Sequence, residues 1–80
     1  MSAAEAQEVK SLLLRSNEQY RQLSERHHQL DDRLHQLIAL PYLTTSEQLE
    51  EVTLKKRKLA LKDQMEQMAL DHAKAQLKMS

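Results

Sequence analysis

The stretch LPYLT, residues 40–44, decides the fold, because it separates two long segments that are both patterned with leucine. Proline cannot continue a helix and biases the preceding residue towards extended geometry, so Leu40 should lie at or past the end of a helix. Thr44 is followed three residues later by Glu47, which is the spacing of a capping box at a helix start. The sequence therefore predicts a helix end and a helix start on either side of one short turn.

A connection this short leaves two long helices little choice but to pack as antiparallel neighbours. We therefore predict an all-α fold, an antiparallel two-helix hairpin that resembles a coiled coil and is completed by self-association into a small bundle. The predicted elements of this hairpin, residues 17–76, are a helix over about 17–39, a turn over 40–44 and a helix over about 45–76.

The two ends of the chain carry weaker signals than the hairpin. Residues 1–16 are expected to form an N-terminal segment that is partly helical or frayed, and residues 77–80 are expected to form a frayed tail. Gln19 follows Ser16 at capping spacing, which leaves two alternatives for the first segment. It is either a separate helix or a kinked extension of the next one.

The composition favours long helices over a mixed fold. The chain contains no glycine, phenylalanine, tryptophan or cysteine, so leucine and methionine must build the core. A small scaffold without a disulfide or a metal is marginally stable, and oligomerisation is the stabilising device that this composition leaves open. We therefore expect a homo-oligomer.

Charge and hydropathy limit the functional classes. The net charge is +0 with neutral histidine, which argues against coating nucleic acid through bulk electrostatics. No stretch approaches the roughly 20 apolar residues of a membrane span, and the lack of cysteine fits a reducing compartment. The expectation is a cytoplasmic protein that has no membrane partner.

A seam of mostly apolar residues, at alternating spacings of three and four, runs through the first helix. Its members are Tyr20, Leu23, His27, Leu30, Leu34 and Leu37. His27 is the polar member of the seam, and counting outward from the turn brings it level with Lys58 or Leu59. Since Asp31 lies one helical turn beyond His27, we interpret His27, Asp31 and Lys58 as a structural polar seam that fixes helix pairing.

The second helix carries two stripes that cannot face the same partner. The stripes consist of Leu54, Lys58, Leu61, Met65, Met68 and His72 on one side and of Val52, Lys56, Leu59 and Leu70 on the other. At about 100° per residue, Leu59 and Leu61 project about 160° apart, so one antiparallel neighbour covers only one stripe. Val52, Leu59 and Leu70 are therefore the candidate surface for self-association or for a protein partner.

A run of basic residues is the second candidate site. The run consists of Lys55, Lys56, Arg57 and Lys58, with Lys62 one turn later. Such a cluster favours phosphate binding, but four successive residues spread around a helix and acidic residues lie close by. Ion pairing within the helix and across the hairpin is the simpler interpretation, and phosphate binding is the alternative.

The sequence does not indicate a catalytic or metal site. Zinc requires three or four ligands that converge on one point, and the spacing of the four histidines, at positions 27, 28, 35 and 72, does not bring that many ligands together. No activated nucleophile, glycine-rich phosphate loop or opposed carboxylate pair is visible. We therefore predict no enzyme, no metal and no cofactor.

Two runs of the sequence form a recognisable pattern: the first starts at Tyr20 and includes HHQLD at residues 27–31, and the second is LKKRKLALKD at residues 54–63. Together they resemble the YdcH family of small bacterial proteins, which is grouped with SlyX-like short coiled-coil proteins. The resemblance covers about residues 17–70. Tyr20 stands where the family commonly has phenylalanine.

The resemblance implies a bacterial, cytoplasmic helical hairpin with no established activity. It also implies that the basic run is structural, with Lys55, Lys58 and Lys62 paired to Asp31 and its neighbours across the hairpin. We predict a small non-enzymatic protein that serves as a protein–protein interaction or oligomerisation module. The alternative is a nucleic-acid-associated protein that binds the phosphate backbone through Lys55 to Lys62.

Overall fold

The computed structural model describes residues 2–79, with side chains up to residue 76, and it is built of α-helices. The helices are α1 (Ala3–Ser16), α2 (Glu18–Ile38) and α3 (Thr45–Met79). The predicted all-α class is confirmed. The two-helix hairpin is not confirmed as the whole fold, because α1 adds a third helix to the two that flank the predicted turn.

The junction between α1 and α2 is a single residue, Asn17, with extended backbone angles (φ −120°, ψ 111°). Its side-chain oxygen accepts a hydrogen bond of 3.0 Å from the Tyr20 N–H and so caps α2. The predicted cap at Ser16 is wrong, because the Ser16 hydroxyl donates to the Leu12 carbonyl at 2.7 Å. The first segment is thus a separate helix.

The turn between α2 and α3 follows the pattern of the sequence closely. α2 ends at Ile38, ahead of the proline, and α3 begins at Thr45. The Glu47 N–H donates to Thr44 Oγ1 at 3.1 Å, and the Thr44 N–H donates to Glu47 Oε1 at 3.0 Å, which confirms the predicted capping box. α3 continues to Met79, past the predicted end at residue 76, and Ser80 of the predicted frayed tail lies outside the described residues.

Contacts between α2 and α3 show that the two helices run antiparallel. Near the turn, Arg33 forms two hydrogen bonds with Glu50, Nε to Oε1 at 2.5 Å and Nη2 to Oε2 at 3.2 Å. Two residues earlier in α2, Asp31 pairs with Lys58, which lies about two turns beyond Glu50 in α3. Residue numbers therefore rise along α3 as the contacts move back towards the start of α2, as an antiparallel pair requires.

Most of the buried core lies in two apolar clusters at opposite ends of this pair, and Leu23 of α2 is also buried. The cluster near the turn contains Leu34, Leu37 and Leu54. The cluster at the far end contains Leu13 of α1, Tyr20 of α2 and Ala69 of α3, with Val9, Met65 and Met68 packed around it. α1 therefore completes the core at the end where α2 begins, and the molecule is elongated, 54 × 20 × 18 Å.

The contacts of α1 also give its direction. Lys10 Nζ lies 3.1 Å from Glu66 Oε1, and Leu13 shares a cluster with Ala69, so both sequences advance together and α1 runs parallel to α3. Residues 1–16 were expected to be partly helical or frayed; Ala3–Ser16 form a helix that contributes a buried leucine, and Met1 lies outside the described residues. Within residues 2–79, no helix combines the length and the apolar character needed to cross a membrane.

Candidate interaction surfaces

The predicted polar seam brings Asp31 and Lys58 into direct contact. Lys58 Nζ donates a hydrogen bond to Asp31 Oδ1, and the two side chains are 35% and 29% exposed. In α2 this pair lies between Tyr20 of the far cluster and Leu34 of the turn cluster. His27 is half-buried and lines the same groove as Lys58, without a hydrogen bond to either member of the pair.

Electrostatics keep Asp31 ionised at neutral pH. The hydrogen bond from the Lys58 ammonium lowers the pKa of the Asp31 carboxyl below its ordinary value of 3.8, and nearby His35 and His27 contribute in the same direction. His35 Nδ1 donates to the Asp31 backbone carbonyl at 2.8 Å and lies 3.6 Å from Asp31 Oδ2. The pair thus satisfies its own charges inside the helix interface, as expected for a residue pair that sets register.

The basic run divides between different sides of α3. Lys55 Nζ lies 2.7 Å from Glu51 Oε1 one turn away, and Lys58 pairs with Asp31 across the interface. Arg57 lines a separate groove together with Arg26 on the opposite side. No single basic face results, because four consecutive residues wind around most of the helix.

One groove, which we call the cationic groove, lies between the three helices and is lined by lysines of α1 and α3. It has a volume of about 360 Å³ and is lined by Lys10, Tyr20, His27, Lys58, Lys62, Met65 and Glu66. Burial raises the pKa of the Tyr20 hydroxyl, so this group stays protonated. Glu66 and Lys10 form an ion pair at the rim, and Lys62 makes no ion pair with any residue that the structure describes.

The side of α3 that faces away from the turn cluster carries a second apolar stripe, which we call the outer face. Its members recur at alternating spacings of three and four and are Leu49, Val52, Lys56, Leu59, Asp63, Glu66 and Leu70. The four apolar members are 66%, 51%, 60% and 41% exposed in that order. At about 100° per residue, Leu59 points about 140° away from the buried Leu54, so the packing that holds α2 cannot cover it.

The structure extends the surface predicted from Val52, Leu59 and Leu70. Leu49 is the most exposed apolar residue of the outer face, and its position three residues before Val52 is the signal that could have found it. Ile38 of α2 is 66% exposed and lines a groove of about 340 Å³ together with Leu59. The exposed apolar surface therefore reaches across to the end of α2.

The histidines do not assemble a metal site in the described part of the chain. No group of three or more His, Cys, Asp or Glu side chains within residues 2–76 is placed to hold a metal ion. His35 is occupied with Asp31 of its own helix, and His27 lies in the groove with Lys58. The outer face and the cationic groove are thus the two candidate sites.

The chain belongs to the family described as protein of unknown function (DUF465), which it matches over residues 21–69. The match covers most of α2, the turn and most of α3, and it therefore includes the Asp31–Lys58 pair and the basic run. Searches of curated proteins and of solved structures gave no match. The family description carries neither the YdcH name nor the SlyX-like grouping, and both stay predictions.

Proposed function

We propose that the chain is a non-enzymatic protein-interaction module and that it binds its partner through the outer face of α3. One observation carries this proposal: α3 has two apolar faces, and only one of them packs within the chain. The inner face contributes Leu54, Met65 and Met68 to the two core clusters, whereas the apolar members of the outer face are exposed. Leu54 of the inner face is 8% exposed, whereas Leu59 of the outer face is 60% exposed. Leucines at heptad spacing on a solvated helix are typical of a surface that packs against another helix.

The energetics favour covering the outer face. Each apolar Å² removed from water contributes about 25 cal/mol, so four half-exposed aliphatic side chains offer a substantial gain on association. The folded chain alone has small buried clusters of three residues each. A partner helix that packs on the outer face would increase the buried apolar surface of a protein whose own core is small.

The test compares two variants that introduce the same side chain on different faces of α3. Leu59→Asp places a carboxylate in the centre of the outer face, and Gln64→Asp places one at an exposed position nearby, off that face. We expect Leu59→Asp to abolish association, measured by sedimentation equilibrium of the purified chain and by affinity capture from cell lysate. Gln64→Asp should leave association unchanged, and circular dichroism should show the same helix content in both variants.

Association that survives Leu59→Asp in both assays would contradict the proposal. Loss of association in Gln64→Asp as well would mean that added negative charge, and not the outer face, is responsible. Both substitutions lie at exposed positions, so a loss of helix content is not expected from either.

Phosphate binding through the basic run is the second candidate, and the cationic groove favours it. Lys62 of this groove is exposed and makes no ion pair with the residues that the structure describes. Binding to a nucleic acid duplex would weaken steeply as salt rises, whereas apolar helix pairing holds or tightens. Capture that is lost after nuclease treatment and in Lys62→Ala would move the function to this groove.

A further inference from the structure

Two opposite charges, Lys56 and Asp63, interrupt the apolar residues of the outer face. Both side chains are exposed, and neither forms an ion pair with a residue that the structure describes. They lie seven residues apart, so about 10 Å of helix axis separates them. Any partner that covers the neighbouring leucines must also accommodate these two charges, because desolvating an unpaired charge is costly.

The third charged residue of the outer face is already neutralised within the chain. Glu66 Oε1 accepts from Lys10 Nζ of α1 at 3.1 Å. Lys56 and Asp63 are therefore the charges that decide which partners fit.

The order of residues along the outer face is self-complementary in one orientation. Lys56 and Asp63 lie equally far on either side of a point between residues 59 and 60, and Leu49 and Leu70 do the same. A two-fold axis through this point brings Lys56 of one copy level with Asp63 of the other. The same axis brings Leu49 of one copy level with Leu70 of the other.

From this pattern we infer that the partner of the outer face is a second copy of the chain, bound antiparallel with Lys56 of each copy facing Asp63 of the other. The inference rests on the proposed function, since it names the occupant of that surface. A parallel copy would place lysine against lysine and aspartate against aspartate, and like charges across an interface disfavour a complex. The two-fold arrangement also closes on itself, so both outer faces are covered at once.

Cross-linking of engineered cysteines tests the orientation, because the chain has no cysteine of its own. The probes are two single variants of the full chain, Leu49→Cys and Leu70→Cys, treated separately and as a mixture with a short bis-maleimide. We expect a cross-link that joins one chain of each variant in the mixture and none in Leu49→Cys alone. In the antiparallel pair the two copies of residue 49 are about 32 Å apart.

Charge reversal tests the pairing of Lys56 with Asp63. Lys56→Asp should raise the dissociation constant of the dimer by at least about tenfold. The two-fold arrangement contains two contacts between residue 56 and residue 63, and the substitution places a carboxylate opposite a carboxylate in both of them. Lys56→Asp combined with Asp63→Lys should restore most of the affinity. Arg57→Asp, which makes the same change in charge one residue away and off the outer face, is the matched control and should change affinity little.

The outcomes separate this inference from the proposed function. Cross-linking of Leu49→Cys with itself would overturn the antiparallel orientation while leaving the outer face as the interaction surface. Self-association without any of these cross-links, or equal effects of Lys56→Asp and Arg57→Asp, would also overturn the inference. If the purified chain stays monomeric but captures another protein in a way that depends on Leu59, the inference is overturned and the proposed function is supported. If Leu59→Asp changes neither self-association nor capture, the proposed function itself is wrong.

Discussion

The buried contact between α2 and α3 and the exposed outer face of α3 should respond differently to the same substitution, leucine to alanine. Leu37, which packs with Leu54 of the inner face, is 0% exposed, and Leu59 of the outer face is 60% exposed. Removing three carbons from Leu37 forfeits about 2.4 kcal/mol of transfer free energy at about 0.8 kcal/mol per methylene. The cavity left behind adds to this loss, so we expect Leu37→Ala to cost about 3 kcal/mol within the usual range of about 2–5 kcal/mol.

A loss of this size is large for a chain of 80 residues. Stability of about 0.05–0.15 kcal/mol per residue gives a total of about 4–12 kcal/mol, so Leu37→Ala removes a quarter or more of it. The midpoint of thermal unfolding should fall by about 10–25 °C. Leu59→Ala should change the stability of the chain by no more than about 0.5 kcal/mol at low protein concentration.

Urea unfolding followed by circular dichroism at two protein concentrations measures both effects. Wild type should become more stable as concentration rises if the outer face mediates association, and Leu59→Ala should reduce that dependence. Leu37→Ala should lower stability at both concentrations. If Leu59→Ala cost as much as Leu37→Ala at the lower concentration, the assignment of an inner and an outer face to α3 would be wrong.

Two further predictions concern polar contacts that position the helices. Because the Lys58 ammonium lowers the pKa of Asp31 below 3.8, the folded chain binds a proton less readily than the unfolded chain, and the pair stabilises the fold above this value. That contribution disappears as pH falls through the lowered pKa. In Asp31→Asn the free energy of unfolding should therefore fall less steeply at acidic pH than in wild type, whereas Asp32→Asn, which changes an exposed neighbour, should follow wild type. Asn17→Ala removes the cap of α2 and should cost about 1 kcal/mol by urea unfolding. Ser16→Ala, which leaves that cap in place, should cost less, and equal losses in the two variants would show that the cap is not the cause.

The turn could be predicted from the sequence because its signals are local. Proline at residue 41 stops α2, and the reciprocal pair Thr44 and Glu47 starts α3, whatever the rest of the chain does. The end of α1 could not be fixed in the same way. Ser16 and Asn17 are both good caps, and the choice between them depends on the orientation that lets Leu13 reach the core.

The inter-helix register could be predicted only to within about one turn. Counting from the turn brought His27 level with Lys58 or Leu59, and Lys58 pairs with Asp31, one turn from His27, as the resemblance implied. Counting residues from the turn gives the backbone positions that lie level with each other. It does not give the ion-pair partner of a lysine, because the long side chain reaches carboxylates up to a turn away. The same limitation explains why Ile38 was missed, since its exposure depends on how α2 approaches α3 near the turn.

The contacts that hold α3 to α2 lie on a different side of α3 from the centre of the surface proposed for association, and Glu66 near one end of that surface pairs with Lys10 of α1. Leu54 and Lys58 hold α3 to α2, whereas Lys56, Leu59 and Asp63 contact no described residue through an ion pair or a buried cluster. A charge reversal on the outer face can therefore break association without removing a contact on which the fold depends. For that reason, if the Lys56→Asp chain is folded and still self-associates with the affinity of wild type, the antiparallel arrangement is wrong. Unfolding of the variant cannot explain such a result, because the substitution removes no contact that holds the fold.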